Sequence, residues 1–114
     1  MDLGLRGKRA LVLGSTRGIG RGIAEALAAE GARIAVCGRE EEAARDAASR
    51  IAEKSGATVA GYGVDLAQAE SAAALGERVA ADFGGIDIVV NNGGGPPPGV
   101  VTGGARWKSR HWLR

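Results

Sequence analysis

The sequence predicts an α/β domain in which helices pack on a parallel sheet. Short runs of apolar and β-branched residues alternate with longer segments in which apolar residues recur at helical spacing. A glycine-rich turn, residues 14–20, joins the first apolar run to the first helical segment. This alternation builds right-handed strand–helix–strand units, so the carboxyl ends of the strands meet at one edge of the sheet. A ligand site is expected at that edge.

The first two strand–helix pairs follow the pattern closely. Residues 8–14 form an apolar run that suits a strand buried on both faces. The next segment has an apolar helical stripe that ends before Gly31. Residues 33–37 predict a second strand, and residues 40–55 predict an alanine-rich helix. Its leading glutamates suit the positive end of the helix dipole, and we interpret them as a solvated helix start rather than a metal site.

The second half of the chain continues the alternation. Residues 58–64 predict a third strand, which Gly61 and Gly63 weaken because glycine contributes no side chain to the sheet. Residues 67–83 predict a third helix. Residues 86–90 predict a fourth strand, the most apolar of the set.

The glycine-rich turn is interpreted as a cradle for phosphate. Gly14 suits the tight turn, Gly18 permits close approach of a ligand, and Gly20 lets the helix lie near the strand. The N–H groups and positive dipole end of the following helix would face the anion. An ordinary strand-to-helix turn is the alternative. The predicted cradle comprises Gly14, Ser15, Thr16, Arg17, Gly18, Ile19 and Gly20.

Three motifs lie at the predicted strand ends. They are the G-x-x-x-G-x-G spacing of Gly14, Gly18 and Gly20, the step Val64-Asp65-Leu66, and the step Asn91-Asn92-Gly93-Gly94. These motifs resemble those of the short-chain dehydrogenase/reductase family. The resemblance covers residues 5–102, and it looks most like 3-oxoacyl-carrier-protein reductases and related carbonyl reductases. It implies a Rossmann-type parallel sheet with strand order 3-2-1-4 and flanking helices, which is an incomplete doubly wound fold.

The resemblance implies a role for each matching residue. The cradle would line the pyrophosphate and the adenosine ribose of a nicotinamide dinucleotide. Asp65 would accept a hydrogen bond from the adenine amino group, and Leu66 would pack nearby. Asn91 would contact the adenosine ribose region, and Gly93 would approach the nicotinamide side. A helix-capping Asp65 and a turn-forming Asn91 are the structural alternatives.

Charge at the end of the second strand favours NADP(H) over NAD(H). An NAD enzyme places a carboxylate there, which binds the ribose hydroxyl and repels a 2′-phosphate. This chain has Arg39 at that position and Arg17 within the glycine turn, and guanidinium groups bind phosphate with paired hydrogen bonds. Glu40 is the reason to keep NAD(H) as the less favoured alternative. The other alternative is that Arg17 and Arg39 are surface residues that bind no ligand.

The catalytic residues that the resemblance implies are absent from the sequence. Hydride transfer to a carbonyl in this family needs a serine and a tyrosine followed four residues later by lysine, all beyond the fourth strand. The single tyrosine, Tyr62, lies in the third strand and is followed four residues on by Leu66. With no cation beside it, its pKa is expected near ~10. We expect this chain to bind coenzyme without catalysis; a non-catalytic nucleotide-binding module and a non-functional gene remnant are the alternatives.

The chain is expected to divide into a half domain, residues 1–102, and a basic irregular tail, residues 103–114. The tail carries four basic and no acidic residues, so the net charge of +2 arises there. It lacks helical or strand periodicity, and a frameshift or early stop in a longer reading frame is our hypothesis for its origin. Its charges and two tryptophans would support only weak, salt-sensitive nucleic-acid binding, so no nucleic-acid partner is predicted.

The remaining expectations concern location and self-association. The chain has no apolar run long enough to cross a membrane or to form the core of a signal peptide. Its single cysteine, Cys37, lies in an apolar run and is interpreted as a buried, unreactive thiol. These features predict a soluble, cytoplasmic protein. The fourth strand would have a partly open edge, which predicts self-association or aggregation.

Overall fold

Strands and helices alternate along the chain in the computed structural model, which describes residues 4–65, 67–91 and 99–101. Each predicted element is present, with ends that differ from the prediction by a residue or two. None of the described helices could span a bilayer, since the longest have 15 residues and charged side chains along their length. In chain order the elements are β1 (Arg9–Leu13), α1 (Gly18–Ala29), β2 (Arg33–Gly38), α2 (Glu41–Ser55), β3 (Val59–Gly63), α3 (Ala69–Phe83), β4 (Ile88–Asn91) and β5 (Gly99–Val101).

The sheet has the strand order β3-β2-β1-β4-β5. The first four strands are parallel and confirm the predicted order 3-2-1-4. The fifth strand was not predicted: β5 runs antiparallel to β4, with Asn91 opposite Gly99. The expectation of an open β4 edge is therefore corrected, because β5 supplies the backbone hydrogen bonds that the edge would lack. Among the described strands, β3 and β5 are the outermost.

The core lies on both faces of the sheet. One apolar cluster fills the space between the sheet and helices α1 and α2, and a second lies beneath α3. Because β1 and β2 are covered on both sides, successive residues such as Leu11 and Val12 are each fully buried. This burial accounts for the near-continuous apolar runs from which these strands were predicted.

Two glycines in β3 allow α2 to lie directly on the sheet. A Cβ atom at Gly61 would lie 2.4 Å from the carbonyl oxygen of Ala44. A Cβ atom at Gly63 would lie 2.9 Å from the Cβ of Glu41. The residues that were expected to weaken the third strand are thus what permits the close contact between this strand and its helix.

Gly22 offers a contrasting substitution on the exposed face of α1. A Cβ atom there would meet nothing within 4 Å. Because alanine loses less backbone entropy than glycine when a helix forms, Gly22→Ala should raise the free energy of unfolding by about 0.5–1 kcal/mol. Urea denaturation followed by circular dichroism would measure the gain, and a loss of stability would contradict it.

An ion pair at the amino edge of the sheet joins β1 to the start of β4. The Arg9 guanidinium donates to both carboxylate oxygens of Asp87, at 2.9 Å and 3.0 Å. The backbone N–H of Arg9 donates to the same carboxylate at 2.9 Å, and the N–H of Asp87 donates to the Arg9 carbonyl at 2.8 Å. This bidentate arrangement places the two strands in register.

Acid should weaken this link in a defined pH window. Hydrogen bonds from Arg9 lower the pKa of Asp87 from 3.8 to about 2. Because the folded pKa lies below the unfolded value, the stabilisation is complete above about pH 4 and is lost as the pH falls through about 2. We expect the urea midpoint to fall over that interval, and Asp87→Asn to show a shallower fall from a lower value at pH 7. An identical acid dependence in the two proteins would contradict this.

Candidate functional site

The glycine-rich turn has the backbone conformation that glycine alone adopts readily. Gly14, directly after β1, has φ +63°, and Gly18, the first residue of α1, has φ +66°. A Cβ atom at Gly18 would meet nothing within 4 Å, so the space in front of the helix is open. Gly20 is buried. The backbone at Gly18, where α1 begins, is therefore open to solvent at the carboxyl edge of the sheet.

The N-terminus of α1 has no anionic side chain of its own. Its N-cap residue, Arg17, is extended at φ −159° and makes no side-chain cap, and the first turn contains no acidic residue. By contrast, α2 has two glutamates in its first turn and α3 has one. The positive end of the α1 dipole thus lacks the carboxylate that the other described helices supply. Ile19, which follows Gly18, is 76% exposed at the same end.

Ser15 lies beneath the turn. Its side chain is fully buried, and its hydroxyl donates to the carbonyl of Val12 at 2.6 Å and accepts from the N–H of Cys37 at 2.9 Å. The N–H of Ser15 donates to the carbonyl of Cys37 at 2.9 Å. Ser15 was predicted among the residues that line the pyrophosphate, but its hydroxyl and its N–H are both engaged with the protein. These bonds join the turn to the end of β2, and the assignment of Ser15 to the pyrophosphate stays a prediction.

The end of β2 lies against the turn. A Cβ atom at Gly38 would lie 2.6 Å from Cγ2 of Thr16, so Thr16 occupies the space beside this glycine. Arg17 and Arg39 follow these two residues, and both are exposed. Within the described part of the chain neither guanidinium forms an ion pair. The structure therefore brings the predicted phosphate-binding arginines to neighbouring segments of one edge.

The remaining predicted residues lie at the ends of β3 and β4. Asp65 is exposed, and its carboxylate accepts from the N–H of Ala67 at 3.0 Å. The N-cap of α3 is Gln68, so Asp65 forms a turn before the helix rather than the cap itself. Asn91 ends β4 and is paired in register with Leu13, which places it beside the cradle. Leu66 and Gly93 lie outside the described residues.

Neither Cys37 nor Tyr62 has the character of a catalytic group. Burial raises the pKa of the Cys37 thiol to about 11, which agrees with the interpretation of an unreactive thiol. Tyr62 is 4% exposed and donates to Asp82 at 2.7 Å. The expectation that no cation lies near Tyr62 is wrong, since the Arg78 guanidinium lies 5.1 Å from the ring centroid. Burial and Asp82 nevertheless raise the pKa of Tyr62 above its ordinary value, because they outweigh Arg78.

Comparison with known protein families matches residues 8–109 to the model described as short chain dehydrogenase. The chain belongs to the short-chain dehydrogenase family. The match extends past residue 102, the predicted end of the half domain, into the predicted tail, residues 103–114. Residues 102–114 lie outside the described part of the chain, so the division at that boundary stays a prediction.

Individual short-chain dehydrogenases match over most of this chain. A 3-oxoacyl-[acyl-carrier-protein] reductase from Aquifex aeolicus is 44% identical over 91 residues, 80% of this chain and 37% of that protein. D-threitol dehydrogenase from Mycolicibacterium smegmatis is 46% identical over 90 residues, 79% of this chain and 34% of that protein. The L-sorbose reductase of Gluconobacter frateurii, solved with NADPH and L-sorbose, has a TM-score of 0.78 at 43% identity and covers 85% of this chain and 37% of that one. The chain thus spans about a third of the length of these relatives.

Proposed function

We propose that the carboxyl edge of this sheet binds NADP(H). The observation that carries the proposal is the N-terminus of α1, which has neither a side-chain cap nor an acidic residue in its first turn. The helix begins at Gly18, which has φ +66°. A pyrophosphate at this position would receive backbone hydrogen bonds and the favourable end of the dipole. The residues that would hold the coenzyme are Gly14, Thr16, Arg17, Gly18, Ile19, Gly20, Arg39, Asp65 and Asn91, together with Leu66 and Gly93 outside the described residues.

Preference for the phosphorylated coenzyme is supported by the two arginines. Arg17 and Arg39 are exposed at adjoining segments, and a 2′-phosphate between them would accept charge-assisted hydrogen bonds from both. Glu40, the N-cap residue of α2, is the nearest carboxylate in sequence and is the argument for NAD(H). The NADPH in the L-sorbose reductase structure adds support from a relative.

The reaction of the longer protein is proposed to be reversible hydride transfer between a carbonyl and an alcohol. The coenzyme, when bound, supplies or accepts the hydride. The relatives include a 3-oxoacyl-[acyl-carrier-protein] reductase and a D-threitol dehydrogenase, so the family leaves the substrate open between thioester-linked and free carbonyl compounds. For the 114-residue chain itself we favour coenzyme binding without turnover, because its single tyrosine, Tyr62, is buried against Asp82.

Location and self-association belong to the same proposal. The buried free thiol of Cys37 suits the reducing environment of the cytoplasm. Because β5 pairs with β4, we place the proposed self-association at the opposite side of the sheet, where β3 is the outermost strand. Its outer backbone groups are where a second copy would pair.

Coenzyme titration tests the proposal directly. NADPH and NADH are added separately to the purified chain, and nucleotide fluorescence and thermal melting are followed together. We expect NADPH to bind more tightly and to raise the melting temperature as ligand binding stabilises the folded state. Absence of binding by either coenzyme, with the chain shown to be folded by circular dichroism, would reject the proposal.

A pair of glycine variants separates the cradle from general backbone strain. Gly18 and Gly56 both have positive φ, at +66° and +78°, and a Cβ atom at either would meet nothing within 4 Å. Gly18→Ala and Gly56→Ala should therefore lose similar stability, about 1 kcal/mol. Only Gly18→Ala places a methyl group in the path of the phosphate, so we expect its NADPH affinity alone to fall, by about tenfold. Equal affinities in the two variants would contradict the assignment.

A further inference from the structure

We propose that Ser15 is a positioning residue for coenzyme discrimination. Its buried hydroxyl holds the glycine turn against the end of β2 and so places Arg17 and Arg39 on either side of one phosphate pocket. This inference rests on the proposed NADP(H) site and explains what aligns its two arginines.

The hydrogen bonds of Ser15 join β1 and β2 beyond the point where their ladder ends. The paired residues of the two strands run to Val12 and Val36. Past that point, the Ser15 hydroxyl bridges the Val12 carbonyl and the Cys37 N–H, and the Ser15 N–H donates to the Cys37 carbonyl. The side chain is fully buried, so these bonds are shielded from competition with bulk water.

A steric contact completes the junction. Thr16 follows Ser15 and lies against Gly38, where a Cβ atom would be 2.6 Å from the threonine methyl group. The carbonyl of Gly38 accepts from the N–H of Val64 at 2.8 Å, which fixes the end of β2 from its other side. Movement of the turn relative to β2 therefore requires breaking the Ser15 bridge or displacing Thr16.

The two arginines depend on this junction because of their place in the chain. Arg17 lies two residues beyond Ser15, and Arg39 lies two residues beyond Cys37. Both are exposed, and no ion pair with another described residue restrains either guanidinium. The distance between their backbones is set by the bonded pair Ser15 and Cys37. NADH needs the cradle, whereas NADPH also needs Arg39 at the correct distance from it.

Ser15→Ala tests the inference, and Ser55→Ala is its matched control. The Ser55 hydroxyl makes the same kind of bridge, donating to the Ile51 carbonyl at 2.6 Å and accepting from the Ala57 N–H at 3.1 Å. Ser55 ends α2, on the side of the sheet where β3 begins, away from the carboxyl edge. Dissociation constants for NADPH and NADH are measured for both variants and for the unmodified chain, with melting temperatures alongside.

We expect Ser15→Ala to weaken NADPH binding about tenfold and NADH binding less than about threefold. Ser55→Ala should lower the melting temperature while the ratio of the two constants stays unchanged. If Ser15→Ala leaves this ratio unchanged, with the binding of both coenzymes weakened equally or not at all, the inference is wrong and the proposed function stands. Failure of the unmodified folded chain to bind either coenzyme would reject the proposed function and this inference with it.

A second variant keeps the test decisive where Ser15→Ala does not fold. Ser15→Cys keeps a side chain of similar size and replaces the hydroxyl with a thiol, which is a weaker donor and acceptor. It should reduce the preference for NADPH in the same direction. A folded Ser15→Cys protein with the original preference would overturn the inference.

Discussion

Substituting alanine for Gly61 should lower the free energy of unfolding by about 3 kcal/mol or more. The added methyl group would lie 2.4 Å from the Ala44 carbonyl oxygen and 2.5 Å from its carbon, well inside contact distance. These are backbone atoms of α2, so no rotation of a side chain relieves the clash. The helix must move away from β3, and it then loses the packing of Ala44, Ala48 and Ile51 on the sheet.

Two opposing contributions, backbone entropy and steric clash, decide whether Gly61→Ala raises or lowers the free energy of unfolding. Alanine in an unobstructed element is favoured over glycine by about 0.5–1 kcal/mol, because glycine loses more backbone entropy on folding. At Gly61 the clash exceeds that gain several-fold, whereas at Gly22 the gain stands alone. The urea midpoints of Gly61→Ala and Gly22→Ala should therefore shift in opposite directions from that of the unmodified chain. A Gly61→Ala protein within about 1 kcal/mol of the unmodified chain would show that α2 does not pack as described.

The neighbouring position gives a graded control for the same contact. At Gly63 an added Cβ would lie 2.9 Å from the Cβ of Glu41 and 3.0 Å from its backbone. Because this overlap is smaller and lies at the first residue of α2, the helix end can shift with less disruption. Gly63→Ala should lose less stability than Gly61→Ala.

The presence of parallel strands followed from residue pattern because burial on both faces leaves a direct mark on the sequence. The runs that became β1 and β2 are apolar at successive positions, and only a strand covered by helices on both sides tolerates this. The three parallel crossovers then followed from the helical segments between the runs. The strand order 3-2-1-4 came instead from the family resemblance that the motifs in the turn and after the third and fourth strands carry.

Other features depended on contacts between residues distant in the chain. The antiparallel strand β5 has three residues, too few to show a period, and it forms through pairing with β4. Arg78 belongs to α3, and its guanidinium lies over the ring of Tyr62. A search for a cation four residues after Tyr62 in the sequence therefore could not find it. The buried role of Ser15 depends on Cys37, which is 22 residues away. The signal for this role in the sequence was a serine directly after Gly14. A serine at that position is equally compatible with binding a phosphate.

Replacing Arg39 with aspartate should reverse the coenzyme preference. The change removes a guanidinium from the pocket proposed for the 2′-phosphate and places a carboxylate at the end of the second strand, where it would repel that phosphate and accept from a ribose hydroxyl. Loss of a charge-assisted hydrogen bond costs about 1.5–3 kcal/mol, and the new repulsion adds to it. NADPH affinity should therefore fall about 100-fold or more, while NADH affinity is kept or improved.

The control for this reversal carries the same change of charge at another place. Arg6 is exposed and lies beside Gly31, before β1 and β2 begin, at the opposite edge of the sheet. Arg6→Asp alters the net charge equally, so any difference between the variants reports position rather than overall attraction of an anion. Fluorescence titration at two salt concentrations sharpens the comparison, since a long-range effect is screened more strongly than a direct contact. If Arg39→Asp weakened NADPH and NADH alike, the arginine would be a general anion attractor and not the group that recognises the 2′-phosphate.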